Sequence, residues 1–124
     1  MNNLKELKIW SKAIDLAVDV YKVTSSYPTD ERFGLINQSR RAVVSIPSNI
    51  AEGAGRNSPK EFNNFLGIAN GSCFELQTQL VIANRLNLLD EENLNPLLFQ
   101  LDELQKMTYG FQQMLKKKIE NKGI

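Results

Sequence analysis

Histidine is absent from these 124 residues, and cysteine occurs once, at Cys73. Imidazole and thiolate supply most protein ligands for transition metals, so the two shortages exclude nearly all metal sites together with His-based acid–base and nucleophilic reactions. Even the di-iron centre that a helix bundle can carry needs Glu-x-x-His pairs, and no cofactor is expected. Cys73 has no disulfide partner in the chain and reads as a small apolar core side chain in a reducing compartment. Neither charge is in excess: 15 Lys and Arg oppose 14 Asp and Glu, a formal net charge of +1. No whole-molecule field therefore drives the chain onto nucleic acid. Long apolar runs are missing too. The longest charge-poor stretch, Phe62 to Asn84, contains Asn63, Asn64, Asn70, Glu75, Gln77 and Gln79, which is too polar to span a bilayer. The segment Met1 to Lys8 lacks the apolar core and cleavage site of a secretory signal, and the expected location is the cytoplasm.

What is present is a helical pattern. With 42% hydrophobic and 23% charged residues, the composition is that of a globular protein, and the length suits one domain over residues 1–124 with 1–7 and 119–124 frayed. Apolar residues recur at steps of three and four, and no segment alternates in steps of two, which predicts an all-α fold. A first helix over about Lys8 to Ser26 places Trp10, Ala13, Ile14, Ala17, Val20 and Tyr21 on one stripe, and Tyr27-Pro28-Thr29 ends it. Thr29 or Asp30 then caps a second helix that runs towards Gly53 and Gly55. Pro47 interrupts it at a cost of about 3 kcal/mol for a regular helix interior. Two readings follow, a continuous helix kinked at Pro47 or two shorter helices meeting there; the kink is favoured because Ser45 and Ser48 can satisfy the freed carbonyls. Ser58-Pro59-Lys60-Glu61 is a capping box with proline at the first helical position. It opens a third helix carrying Phe62, Phe65, Leu66, Ala69, Cys73, Leu76, Leu80 and Ala83, which Asn87 ends. A fourth begins between Asp90 and Pro96, with Pro96 in its first turn, and presents Leu97, Leu98, Leu101, Leu104, Thr108, Phe111 and Leu115. Such helices with short connections pack as an antiparallel up-down-up-down four-helix bundle about 40 Å long.

The middle helices carry too little charge for a lone bundle. A solvated helix face normally bears charged residues, yet Glu75 is the only one between Phe62 and Asn84, and Ala42 to Ala51 has none. Gly67 and Gly71 each cost about 1 kcal/mol relative to Ala, and a pair one turn apart implies close backbone approach. Self-association is the expected explanation, with Gly67, Gly71 and Phe74 at the subunit contact. Polar residues also align: Gln38, Arg41, Ser45, Asn49 and Glu52 on the second helix, and Ser72, Glu75 and Gln79 on the third. A buried Arg41 or Glu75 needs a partner and further hydrogen bonds, so a polar network joining the two stripes, within or between subunits, is expected.

The run Gln38-Ser39-Arg40-Arg41-Ala42-Val43-Val44-Ser45-Ile46-Pro47-Ser48-Asn49-Ile50-Ala51-Glu52-Gly53 closely resembles the signature of the four-helix-bundle proteins encoded in 23S rRNA intervening sequences. Trp10, the Tyr27-Pro28…Glu31-Arg32-Phe33-Gly34-Leu35 segment and Phe65-Leu66-Gly67-Ile68-Ala69-Asn70-Gly71-Ser72 with Glu75-Leu76 are similar to the same family. The resemblance covers nearly the whole chain. It implies a ring-shaped homo-oligomer, usually a homopentamer, and a second helix continuous through Pro47; it implies no settled biochemical activity. The accessory variability determinants of diversity-generating retroelements resemble this family and form basic rings that bind nucleic acid and a reverse transcriptase. The present chain differs from them in being nearly neutral.

No catalytic residue emerges. Glu52 and Glu75 have structural roles in the polar stripes, and Gly53-Ala54-Gly55-Arg56 follows a helix and lacks the Gly-Lys-Ser/Thr ending of a phosphate loop. Charge becomes informative once the bundle topology is imposed. One end collects Lys5, Lys8, Lys12, Arg56, Lys60, Lys116, Lys117, Lys118 and Lys122 against Glu6, Glu52, Glu61 and Glu120, while the other holds Asp30, Glu31, Asp90, Glu91 and Glu92 with Arg32 and Arg85 nearby. The basic end is a candidate contact for RNA or DNA phosphates without base readout. No aromatic residue is interleaved with its lysines, so stacking on single strands has little support. Helix-dipole complementarity and a solvated tail are the competing account of Lys116 to Lys118. The expected protein is thus a non-enzymatic scaffold or adaptor whose partners are itself and either nucleic acid or another protein.

Overall fold

The structure, a computed structural model, describes residues 3–122, the side chain of Lys122 excepted. A 3₁₀ turn, Leu4–Glu6, precedes four helices: α1 (Lys8–Thr24), α2 (Asn37–Ala54), α3 (Pro59–Arg85) and α4 (Glu91–Lys122). The fold is all-α, and no strand occurs among the described residues. Each helix packs on its chain neighbours, and α1 closes the cycle against α4. Paired contacts give the directions. Lys12 and Asp19 of α1 bond Glu103 and Gln100 of α4 in reversed order, and Gly53 and Ser45 of α2 meet Phe65 and Ser72 of α3 in the same reversed sense.

The helix ends follow local chemistry. Ser58 is the N-cap of α3, its Oγ accepting the Glu61 amide at 3.2 Å, with Pro59 at the first helical position. Only half of the expected capping box forms, because the Glu61 carboxylate lies 3.6 Å from Arg56 instead. At the other end of α3, Asn87 takes the left-handed conformation (φ 61°). The Leu88 amide then donates to the Ala83 carbonyl and the Asn87 amide to Asn84, the paired closure that satisfies the last carbonyls of a helix. Asp90 starts α4, accepting the Asn93 amide at 2.9 Å. Pro96 therefore falls in the second turn, not the first.

Two further expectations are corrected. The second helix starts later than Thr29 or Asp30, because the chain first makes a 3₁₀ turn at Thr29–Glu31 and a π turn at Arg32–Ile36. There Gly34 leaves helical geometry (φ −104°, ψ −114°), and Glu31 accepts the Leu35 amide. From Asn37 onward α2 is unbroken through the buried Pro47. On α1 the buried residues are Ile9, Ala13, Leu16, Val20 and Thr24, whereas Ile14 and Tyr21 stay 37% and 42% exposed. Two overlapping apolar arcs exist on this helix, and only packing against α2 and α4 selects one.

The core is a continuous layer of side chains such as Leu16, Val43, Ile46, Ile50, Leu66, Leu76, Leu80, Leu101 and Leu104, each at most 1% exposed. Burying one such side chain contributes about 1.5–3 kcal/mol. Cys73 sits in this layer. Where α2 meets α3 the backbones approach so closely that a Cβ at Gly53 would lie 2.8 Å from Phe65 Cβ and 2.9 Å from Phe62 Cδ1. Gly53→Ala is expected to lower stability by about 1–3 kcal/mol through this overpacking, read as a shift of the urea midpoint at unchanged slope.

Burial pushes the Cys73 thiol from 9.0, and the Tyr27 phenol from 10.0, up to about 12. The folded chain therefore keeps protons that the unfolded chain releases. The associated stability is complete below about pH 9 and is lost as pH rises towards about 12. Urea unfolding between pH 7 and 11 is expected to show a midpoint that falls above pH 9, and a shallower fall for Tyr27→Phe combined with Cys73→Ala.

Candidate functional site

The bundle brings the predicted basic residues to one end, with three distinct environments. Lys5 on the 3₁₀ turn, Lys8 at the start of α1, Lys60 at the start of α3 and Lys116, Lys117 and Lys118 in the last turns of α4 are all exposed. None of them joins an ion pair among the described residues. Lys12 and Arg56 are engaged inside the chain. Lys12 pairs with Glu103 of α4. Arg56 pairs with Glu52 at 3.0 Å and lies 5.2 Å from the centre of the Phe65 ring. The side chain of Lys122 lies outside the described residues. The acids Glu52 and Glu61 are both taken by Arg56, which leaves Glu6 and Glu120 against six lysines.

Dipole complementarity accounts for part of this cluster. Lysines in the last turns of α4 face the carbonyl end of a helix, where cations are stabilised. Lys8 and Lys60 sit at helix starts, where the same field disfavours them. Beside Lys118 and Arg56 a cavity of about 290 Å³ is floored by Phe62 and Phe111, whose ring centres are 5.1 Å apart.

The polar stripes on α2 and α3 divide in two. Ser45 and Ser72 share a hydrogen bond of 2.9 Å, and the Asn49 amide donates to both the hydroxyl and the carbonyl of Ser45 at 2.9 and 2.8 Å. This links α2 to α3 at mid-length. Ser45 is thereby committed to α3, and neither it nor Ser48 donates to a carbonyl near Pro47 among the described residues. The network expected to join the two stripes forms within one chain at Ser45, Asn49 and Ser72 and does not take in the other residues of the stripes. Glu52 turns to Arg56, while Gln38, Arg41 and Glu75 are exposed, with no ion pair between Arg41 and Glu75 among the described residues. Gln79 is 7% exposed and its Oε1 has no partner. These residues line an open depression of about 520 Å³ together with Phe33, which is 85% exposed.

Gly67, Gly71 and Phe74 lie on the outer surface of α3 towards α4. The close backbone approach expected at the glycines does not occur within the chain. A Cβ at Gly71 would meet nothing within 4 Å, and one at Gly67 would meet only Gln112 Nε2 at 4.0 Å.

Arg40 is the residue that reading the sequence missed. Its guanidinium closes α1, donating to Thr24 Oγ1 at 2.9 Å, Ser25 Oγ at 3.2 Å and the Tyr21 carbonyl at 3.3 Å, and it stacks 4.5 Å over the Tyr21 ring. A cation that caps the carbonyl end of another helix is favoured by the dipole and by charge-assisted hydrogen bonds. No local signal marks it, because the partners come from a different helix. Among the described residues no group of three His, Cys, Asp or Glu side chains could hold a metal ion. No described helix is long and apolar enough to cross a membrane.

A model of the 23S rRNA-intervening sequence protein family matches residues 5–110. The chain is also similar to the crystal structure of a protein with unknown function from the S23 ribosomal protein family of Bacteroides thetaiotaomicron. That similarity has a TM-score of 0.76 at 22% identity, over 82% of this chain and 95% of that one, and it concerns the fold alone. No curated protein matches. The matched span runs from the turn before α1 well into α4 and takes in the polar stripes, the α2–α3 turn and the glycines of α3; the chain belongs to the 23S rRNA-intervening sequence protein family.

Proposed function

We propose that this chain is a non-enzymatic, cytoplasmic scaffold that assembles into a ring of identical copies and contacts RNA or DNA backbones through its basic end. The observation that carries the reading is the set of six lysines, Lys5, Lys8, Lys60, Lys116, Lys117 and Lys118, which no ion pair among the described residues engages. Two of them stand against the local helix dipole. Charge that folding does not use, and that costs stability at Lys8 and Lys60, suits a ligand of opposite sign. A chain of net charge +1 attracts phosphates through this local concentration and not through its total. A cyclic assembly of parallel subunits repeats the lysines around one rim, five times over for the pentamer that the family resemblance implies. The scarcity of charge on α2 and α3 and the unfilled space at Gly67 and Gly71 support the assembly. A bend of α2 at Pro47, where one backbone donor is missing, belongs to the same proposal.

A second reading, an adaptor that binds protein and no nucleic acid, is favoured by one feature at the other half of the bundle. Phe33, Arg41, Glu75 and Gln79 surround one depression with a cation, an anion, an amide and an aromatic ring, a mixture better matched to a polypeptide than to phosphates.

Labelled RNA of arbitrary sequence is expected to bind with an affinity that falls steeply with salt. Replacing Lys116, Lys117 and Lys118 by Gln should weaken binding to all sequences alike and flatten the log–log salt dependence by about 2, since each phosphate contact on a single strand contributes about 0.7. Binding indifferent to salt, or unchanged by the triple substitution, would refute the basic end and leave the adaptor. Light scattering on the free protein checks the assembly separately.

A further inference from the structure

Two surfaces on opposite sides of the bundle match each other. On α1, Ile14, Val18 and Tyr21 protrude on the side towards α2 and remain 37%, 48% and 42% exposed. On α3, Gly67, Gly71 and Phe74 form a hollowed row on the side towards α4. Both rows have the spacing i, i+4, i+7, the ridge and groove that interdigitate when helices pack. With the helices arranged in the cyclic order α1, α2, α3, α4, the two rows lie on opposite faces.

Their places along the helices are similar as well. Ile14 is six residues past the start of α1 at Lys8, and Gly67 is eight past the start of α3 at Pro59. At 1.5 Å per residue these lie about 9 and about 12 Å from the first residue of each helix. Since α1 and α3 run in the same direction, a translated copy with its axis parallel brings the two rows together in parallel. Of the charges bordering the two rows, Asp15, exposed and in no ion pair among the described residues, flanks the ridge, and Lys106, which pairs with Asp102 at 2.9 Å, borders the hollow. Beside Phe74 the row adjoins a depression of about 440 Å³ lined also by Asn70, Gln105, Lys106 and Tyr109.

We infer that the subunit contact is heterologous, the Ile14–Val18–Tyr21 ridge of one copy seating in the Gly67–Gly71–Phe74 hollow of the next. The inference rests on the proposed assembly and adds its two surfaces and their polarity. A contact between unlike faces can repeat around a ring and aligns every basic end on one side, whereas a contact between like faces would stop at a dimer. It also gives the two glycines a function. They are empty in a single chain because the neighbouring α1 side chains occupy the space.

The test uses two surface substitutions that leave the single chain's packing untouched. Val18→Glu charges the ridge, and Gly71→Glu fills the hollow, where a Cβ meets nothing within 4 Å in the isolated chain. Each variant alone is expected to sediment as a single copy of 14.1 kDa with undiminished helical circular dichroism. Mixed in equal amounts, the two should form a dimer of twice that mass, because one intact ridge then meets one intact hollow. If both variants keep the wild-type mass, the surfaces are wrong while the assembly stands. If the variants dissociate and the mixture stays monomeric, the contact is not ridge to hollow. A wild-type chain that is itself a single copy at micromolar concentration removes the assembly, and this contact with it.

Discussion

The tight crossing of α2 and α3 organises the molecule. Gly53 has no side chain, so the end of α2 can lie directly on Phe62 and Phe65 in the first turns of α3. Once these helices touch there, their register is set. Eight residues back along α2 is Ser45 and seven forward along α3 is Ser72, and the two hydroxyls meet at 2.9 Å. The same contact fixes the short turn that carries Arg56, Ser58 and Lys60, and so fixes which charges stand at the basic end. A larger residue at position 53 would separate the helices and disturb packing and charge placement together.

Around that crossing the chain sorts its polar groups by use. Arg40, Arg56 and Lys12 are absorbed by helix ends and carboxylates, and Ser45, Asn49 and Ser72 bond one another. These groups stabilise the single chain modestly, since half-exposed ion pairs contribute about 0–1 kcal/mol, and buried apolar area remains the main source of stability. What is left over is the distinctive part: lysines at one end, an aromatic-lined depression near Arg41 and Glu75, and two apolar rows on opposite faces.

Helix count, core and termini were largely legible. Ser58-Pro59, Asn87 and Asp90 mark ends because their side chains or backbone geometry satisfy groups that any helix leaves open, and Leu66, Ala69, Cys73, Leu76 and Leu80 follow a single arc with no rival. Legibility failed where two patterns overlapped or where a partner was distant in sequence. On α1 the arc through Ile14 and Tyr21 is as regular as the one through Leu16 and Val20. At Glu61 the carboxylate turns to Arg56, a nearby cation, in preference to the backbone amide that a capping box would give it. The polar residues of α2 align as one stripe, but the division at Ser45 is not visible in the sequence, because alignment along one helix says nothing of what stands opposite.

Sequence alone determined the all-α class, the absence of histidine-dependent chemistry, the shortage of charge on α2 and α3 and the residues of the basic end, since composition and periodicity are properties of the chain by itself. Tertiary structure decided which lysines stay unengaged, that Gly67 and Gly71 face open space, that Arg40 closes α1, and that Ile14, Val18 and Tyr21 stay exposed on α1. Those facts depend on distances between helices, and such distances exist only after packing has chosen one register among several that the same periodicity allows.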